Sequence, residues 1–446
     1  MCGLIFLVVE KAKKIYPKKG KKQYYYASLY GYYMIDLTLL RQSPETIIAL
    51  LKKKDPAYDG QLLFDLDKQM RALLQEIELL RHRKNELAKV AKGGVTDEIR
   101  QQSIALTKEL KVKEAELEGV EKKFHDLFMH CPNIPAADIP DGGKEVNQVV
   151  KTVGQKPSFS FLVKNHVDLG TALGWFQFDT AARLAGSNFA FYAGDGVKLL
   201  YALSMFMLKN NISHGYEVML PSVLVNEQAL EVASNFPKFK DQVYSVTADN
   251  MYLTPTAEVN LANVYYDHIF SATDLPIRMT SWTSCFRREA GTYGATERGL
   301  IRIHQFEKVE LYTLCEPEYS YDELDRMIAC AEAILQKLEL HYRISLLAAQ
   351  DCSFPSAKTY DIEVWLPGQN MYYEVSSCSN CTDFQARRGR MRYKEAAGEK
   401  TKLVHTLNAS SLALPRLMVA IMETYQQADG SIAIPAVLRN EGIFTL

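Results

Sequence analysis

Four short stretches in the second half of this 446-residue chain bring hydroxyl, carboxylate and guanidinium groups into spacings that suit phosphate and amino-acid chemistry. In Thr254-Pro255-Thr256-Ala257-Glu258, Thr256 and Glu258 stand two apart, which on a strand puts both on one face. A carboxylate so placed holds an ammonium group, with the threonine hydroxyl as a neighbouring acceptor. The same residues equally fit the start of a surface helix capped by Thr256. In Phe286-Arg287-Arg288-Glu289-Ala290-Gly291, Arg287 offers a bidentate fork to a carboxylate or phosphate, and Glu289 an acceptor for an adenine amino group. A polar loop with Thr292, Gly294, Thr296 and Arg298-Gly299 leads into the alternating run Leu300–Glu310, so a long hairpin able to fold over a ligand is expected.

The third stretch runs from Tyr373 to Arg388. Its Glu374 and Ser377 are hard oxygen ligands of the kind Mg²⁺ accepts while also touching substrate phosphates. Cys378 and Cys381 form a single CxxC pair, and a zinc site would need a second pair that does not follow, so both are expected to be interior residues and no zinc is expected. The fourth stretch, Leu407–Arg416, opens an apolar helix, and its lone Arg416 gains weight only from the other three. No Walker A sequence, no strand followed by GxGxxG and no protein-kinase loop set occurs, which leaves side chains to hold any phosphate.

These residues need a scaffold, and the chain changes character along its length. Leu66, Met70, Leu73, Ile77, Leu80 and Leu87 alternate four and three apart, interrupted only by Lys84. After Lys92-Gly93-Gly94, Thr96 is placed to cap a second helix, whose seam runs Ile99, Ser103, Leu106, Leu110, Lys113, Leu117, Val120, Phe124 and Leu127. The pattern predicts a projecting antiparallel helical hairpin, each helix on the order of 45 Å long. Its outward face carries a cluster, Arg81, His82, Arg83 and Lys84, with Lys89 near the tip, a plausible phosphate contact but also what any solvated coiled coil presents. Proline and glycine between Cys131 and Gly143 break helix, and residues up to about 158 read as a linker. Beyond, short strands mixed with amphipathic helices, without regular alternation, predict an α+β domain built on an antiparallel sheet.

Lys plus Arg total 52 against 53 Asp plus Glu, a net charge of −1 that excludes binding by bulk charge. Residues 1–33 carry seven lysines, one glutamate and seven tyrosines, and are expected to be a disordered extension or a start assigned too far upstream rather than a nucleic-acid-binding arm. No apolar stretch approaches the roughly 18 residues of a membrane span, and eight scattered cysteines fit a reducing cytoplasm better than a secreted scaffold.

Thr256-Ala257-Glu258, the Phe286–Gly291 stretch, His304–Glu310 and Glu374–Arg388, in this order, resemble the signatures of bacterial-type seryl-tRNA synthetases, a class II aminoacyl-tRNA synthetase family. The resemblance spans Met34 to about Leu446 and implies a class II antiparallel sheet flanked by helices, with a tRNA-binding domain at 34–140, its coiled-coil arm at about 60–130, a linker at 141–158 and a catalytic domain at 159–446. It implies an ATP-dependent ligase that makes seryl-adenylate from L-serine and transfers the seryl group to serine tRNA, in the cytoplasm, as a homodimer through the segment Tyr216–Pro221. Service to selenocysteine tRNA stays open. Thr256, Ala257, Glu258, Glu310 and Ser410 match positions enclosing serine. Arg287, Arg288 and Glu289, with Glu374, Val375, Ser376, Ser377 and Arg416, match the ATP site, where Glu374 and Ser377 also hold Mg²⁺. Arg81, Arg83, Lys84 and Lys89 are the expected tRNA contacts of the arm.

The chain departs from the family pattern twice. Ala409, Ser411 and Pro415 stand where glycines are expected around Ser410 and Arg416, and Ala233-Ser234-Asn235 replaces a Gly-Thr-Gly before Pro237. Such glycines permit close backbone approach or positive φ. An alternative is therefore a catalytically impaired paralogue acting as an RNA-binding protein.

Overall fold

The computed structural model of the protein describes residues 34–289 and 299–439. Residues 1–33, 290–298 and 440–446 lie outside them, and with 290–298 most of the polar loop expected around Thr292, Gly294 and Thr296. The described chain forms two compact units, residues 34–44 with 59–129, and 45–58 with 130–439.

The first unit is the expected hairpin. Helix α1 (Leu37–Gln42) comes first, α2 (Pro44–Lys54) leaves the unit after Pro44, and α3 (Gly60–Ala91) and α4 (Asp97–Phe128) make the long pair. Asp59 and Thr96 cap the two long helices by accepting from the amides of Leu62 and Ile99, which satisfies donors that would otherwise face open water at each helix start. The heptad seam is buried at Leu66, Met70, Leu73, Ile77 and Leu80 on α3, and at Val120 and Phe124 on α4. Toward the turn both seams become half-buried, because two helices alone cover only one stripe of each other. At the base, the buried carboxylate of Asp67 is held by Arg41 at 2.6 Å and Arg71 at 2.9 Å.

The segment from Glu45 to Tyr58 belongs with the second unit, although it falls inside the expected 34–140 domain. The cause is polar. Lys53 donates to the carbonyl of Ile139 at 2.7 Å, buried Lys54 donates to the carbonyls of Cys352 and Ser356 at 3.0 and 2.9 Å, and Asp55 pairs with Lys238 at 3.1 Å. Burial lowers the Lys54 ammonium to about 8.

The second unit centres on an eight-stranded sheet. Its strands are β1 (Gln148–Val153), β2 (Glu217–Met219), β3 (Ile277–Phe286), β4 (Gln305–Cys315), β5 (Tyr342–Leu346), β6 (Lys358–Leu366), β7 (Met371–Asn380) and β8 (His405–Ala413), in the order β1-β5-β6-β7-β8-β4-β3-β2. Every neighbouring pair is antiparallel except β2, which lies parallel to β3. The α+β expectation holds. The stretch 141–158, expected as a linker, instead contributes the edge strand β1, whose mostly exposed side chains give no burial signal to read from sequence. The run Phe189–Tyr192 makes only an isolated bridge, between Tyr192 and Phe176.

One face of the sheet is covered by α5 (Asp195–Ser213), α7 (Ser320–Lys337) and α9 (Leu414–Tyr425), with the five-residue α6 (Ala257–Leu261) and α8 (Phe384–Gly389) elsewhere in the unit. Val309, Leu311, Ile362, Val364, Leu407, Ala409 and Leu412 pack into the apolar core with these helices. Strand pleating then sends Lys308, Glu310 and Tyr312 of β4, Asp361 and Glu363 of β6, and Asn408 and Ser410 of β8 to the opposite face. The antiparallel sheet thus turns a period of two into one apolar floor and one polar face.

Candidate active site

The polar face gathers the four stretches. Thr256 stands at the N-cap of α6, so the local element is a helix start and not the strand that would align Thr256 with Glu258. It is nonetheless far from a surface cap, because Thr256 is buried and its hydroxyl donates to Glu310 at 2.7 Å while accepting from the Glu258 amide at 3.2 Å. Glu310 also takes an ion pair from Lys308, two residues before it on the same face of β4. Glu258 accepts from the Gln385 amide group at 2.7 Å, and Gln385 itself sits on α8 and accepts from Tyr312 and Thr406 at 2.9 Å each. Burial, then the neighbouring Glu310, pushes the Glu258 carboxyl up to about 7, with Lys308 opposing. Ser410 lies directly across from Glu310 in the β4–β8 register. The methyl of Ala257 is fully buried in the helix start and supplies shape, not a polar contact. What results is a pocket wall of two carboxylates, two hydroxyls, an ammonium and an amide.

Arg287 emerges at the end of β3. Its amide donates to the His304 carbonyl at 2.9 Å, its Nε to the Pro255 carbonyl at 3.2 Å, and its guanidinium lies 5.3 Å from the centre of the Phe306 ring. Those contacts tie it to the Thr256 segment while leaving the outer nitrogens of the fork to point elsewhere. Arg288 is exposed and is engaged through its backbone, which donates to the Gln242 carbonyl. Glu289, with φ of +48°, pairs with Arg302 at 2.6 Å. The return run enters its strand at Gln305 and not at Leu300. Leu300, Ile301 and Ile303 are buried in the core instead, which removes them from a regular ladder.

Across the sheet, Arg416 lies in the first turn of α9. Its guanidinium donates to the Glu374 carbonyl at 2.9 Å, stands 3.5 Å from that carboxylate and lies 4.9 Å over the Tyr373 ring. Beside them, Ser377 faces Asp361 in register, and Glu374 faces Glu363. Asp361 was not singled out by sequence. Burial, followed by repulsion from Glu374, holds its carboxyl well above the usual range, with the Ser377 hydroxyl opposing, and its Oδ1 is buried without a hydrogen-bond partner among the described residues. Two expected ATP contacts fall inside instead. The β7 bulge opposite Ile362–Glu363 buries Val375 in the apolar core and turns the Ser376 hydroxyl onto the Ser410 carbonyl. Neither side chain reaches the polar face. Cys378 and Cys381 are fully buried, as expected of interior residues.

On the hairpin, Arg81 bridges to Glu114 of the facing helix at 2.6 Å and Lys89 to Glu86 at 2.8 Å. Lys84 occupies the half-buried seam, and Arg83 is exposed. Of the four expected contacts, Arg81 and Lys89 are thus engaged in ion pairs, Lys84 lies partly in the seam, and Arg83 stands exposed on the outer face. Among the described residues no helix is long and apolar enough to cross a membrane, and no cluster of three His, Cys, Asp or Glu side chains is placed to hold a metal by itself.

An antiparallel sheet with one parallel edge strand, helices packed on its apolar face and carboxylates and hydroxyls lining the other, is the architecture of a class II aminoacyl-tRNA synthetase core. Residues 240–425 match the model of the class II core domain for the glycine, histidine, proline, serine and threonine enzymes, and residues 34–135 match the seryl-tRNA synthetase N-terminal domain. A serine-tRNA ligase of Hydrogenobaculum is 45% identical over 415 residues, covering 91% of this chain and 98% of the relative. One from Chlamydia abortus is 44% identical over 414 residues, covering 91% and 97%. A crystal structure of seryl-tRNA synthetase from Pyrococcus horikoshii, complexed with ATP, aligns with a TM-score of 0.86 at 34% identity, over 92% of this chain and 99% of that one. The chain belongs to the seryl-tRNA synthetase family.

Proposed function

We propose that the protein activates L-serine with ATP and transfers the seryl group to serine tRNA. The carboxylate of serine attacks the ATP α-phosphate to form seryl-adenylate and release pyrophosphate, and the terminal ribose hydroxyl of the tRNA then takes the acyl group. Such chemistry requires positioned substrates and neutralised charge more than a protein nucleophile. The observation that carries the reading is the joining of Thr256, Glu258, Lys308 and Glu310 into one hydrogen-bonded wall on the polar face of the sheet, with Arg287 tied to the Thr256 segment through the Pro255 carbonyl.

In this reading Glu258 and Thr256 receive the serine ammonium, Glu310 and Ser410 its side-chain hydroxyl, Arg287 the α-phosphate, Glu289 the adenine and Arg416 the γ-phosphate. For the adenine to bind Glu289, the Arg302 pair must open or share its acceptor. Glu374 and Ser377 fit a Mg²⁺ carried in with ATP: both offer hard oxygens, and the unpartnered Asp361 oxygen behind them sits in surplus negative charge. Bound there, the ion would offset charge on the phosphate oxygens. Arg83, exposed on the arm, is placed to meet a tRNA backbone. A second copy of the chain would pair through the segment around β2, where Val218 and Leu220 are exposed.

Purified protein should charge serine tRNA with labelled serine, and Glu310→Ala should lose most serine selectivity over alanine, because a buried pocket built to bond a hydroxyl discriminates by leaving its acceptor unpaired. Wild-type inactivity, or an unaltered Glu310→Ala enzyme, would overturn the assignment.

A further inference from the structure

Behind the polar face lies a buried His–Glu pair that joins three chain segments to α9. His166 and Glu423 are 2% and 0% exposed. The imidazole Nδ1 stands 3.1 Å from Glu423 Oε1, and Nε2 accepts from the amide of Leu300 at 3.2 Å. Because Nε2 is the acceptor, Nδ1 carries the proton and donates to the carboxylate, which sets the tautomer. Glu423 further accepts from the His166 amide at 3.0 Å, the Gly368 amide at 2.9 Å and Gln369 at 3.2 Å.

Two glycines let the segments close on this pair. A Cβ on Gly299, whose φ is +69°, would fall 2.3 Å from His166 Nε2, and one on Gly368 would fall 2.6 Å from the Lys164 carbonyl and 3.0 Å from the Glu423 carboxyl carbon. Backbone is therefore packed directly onto the ring and its carboxylate.

Both ends of the connection lead to the candidate ATP groups. Glu423 shares α9 with Arg416. Leu300 opens the return segment in which Arg302 pairs with Glu289, and His304 binds the backbone of Arg287 through its carbonyl at 2.9 Å and its ring at 3.0 Å.

We infer that His166, with its tautomer set by Glu423, is a positioning residue that holds the Leu300–His304 return segment against α9 and so keeps Arg287 and Glu289 in register with Arg416 for ATP. The inference rests on the reading of those three residues as the ATP contacts. His166 touches neither serine-side group, so its loss acts on ATP alone.

The test is steady-state serine-dependent ATP–pyrophosphate exchange with the full-length protein. In His166→Asn, the shorter amide keeps a donor for Glu423 but no longer reaches Leu300, and KM for ATP should rise about tenfold, the scale of one lost buried hydrogen bond, with KM for serine within twofold. His166→Gln, whose amide oxygen reaches the Nε2 position, should restore ATP binding to within about threefold of wild type. An unchanged ATP KM in His166→Asn, a parallel rise for both substrates, or no recovery in His166→Gln would overturn the inference. If His166→Asn does not fold, Glu423→Gln carries the same expectation, since its amide no longer dictates which ring nitrogen is protonated. Arg416→Ala is the control: if it too leaves the ATP KM unchanged, the ATP-site reading has failed rather than the role of His166.

Discussion

At the scale of single residues, the informative group is Glu258. Its carboxyl ionises near 7 because burial and Glu310 disfavour its charge, yet it is the group proposed to bind an ammonium, which needs that charge. Serine KM should therefore fall as pH rises from 6 to 8, and the Glu258→Gln variant, measured by pyrophosphate exchange, should bind serine weakly with little pH dependence across that range. The same shift has a consequence for stability. The folded state keeps the Glu258 proton between the ordinary carboxyl value of 4.5 and about 7, so Glu258's contribution falls through that interval, by on the order of 3 kcal/mol, and is flat above it. Glu258→Gln should flatten that part of the pH profile of thermal unfolding. Thr256 and Glu258 were legible as a candidate pair from their types and spacing, whereas Glu310 entered the site only through the family resemblance. Lys308 was missed although its place two before Glu310 on an alternating run was a signal for it, and Gln385 and Asp361 left no such signal, because only the sheet brings α8 and β6 to the site.

At the scale of elements, backbone conformation decides what the altered glycine positions mean. Ser234, which stands where the family pattern has the threonine between its two glycines, holds a φ of +71°, and its buried hydroxyl has no hydrogen-bond partner among the described residues. Ser234→Gly should raise unfolding free energy by about 1 kcal/mol, from relief of left-handed backbone strain and of an unpaired hydroxyl, measurable as a higher urea midpoint. Ser411 has the opposite standing, since its hydroxyl bonds Asn211 at 3.0 Å and stabilises its place under the site. The hairpin was read from its heptads with little loss, because a local period needs no distant partner to be recognised. Excising residues 60–130 behind a short turn should leave serine-dependent pyrophosphate exchange intact and abolish tRNA charging. Loss of both activities would contradict a division of labour between arm and core. The bulge at Val375–Ser376 was invisible beforehand: a single extra residue in β7 reverses which side chains face the pocket, and no composition marks it.

At the scale of the molecule, the near-zero net charge conceals a division. Residues 1–33 contribute +6 from seven lysines and one glutamate, so the remaining chain carries −7 of the total of −1. Placed cations rather than bulk charge must then serve RNA binding, and on the arm many are already spent in pairs such as Arg81–Glu114 and Lys113–Glu76. Self-association is expected through the exposed edge near Val218 and Leu220, and sedimentation at micromolar concentration should give a dimer, which Leu220→Asp should shift toward monomer.

What the sequence determined by itself were the features with local cause: the heptad hairpin and its caps, the α+β character of the remainder, and the reactive residue types in their order. These follow from periodicity and side-chain chemistry, which act over a few residues. Tertiary structure alone decided that the chain from Glu45 to Tyr58 joins the second unit, that β1 arises from an apparent linker, that Val375 and Ser376 turn inward, and that His166 meets Glu423 across 257 positions of chain. Each depends on which buried partner a strand edge, a lysine or a carboxylate finds, and a buried polar group must find one wherever along the chain it lies.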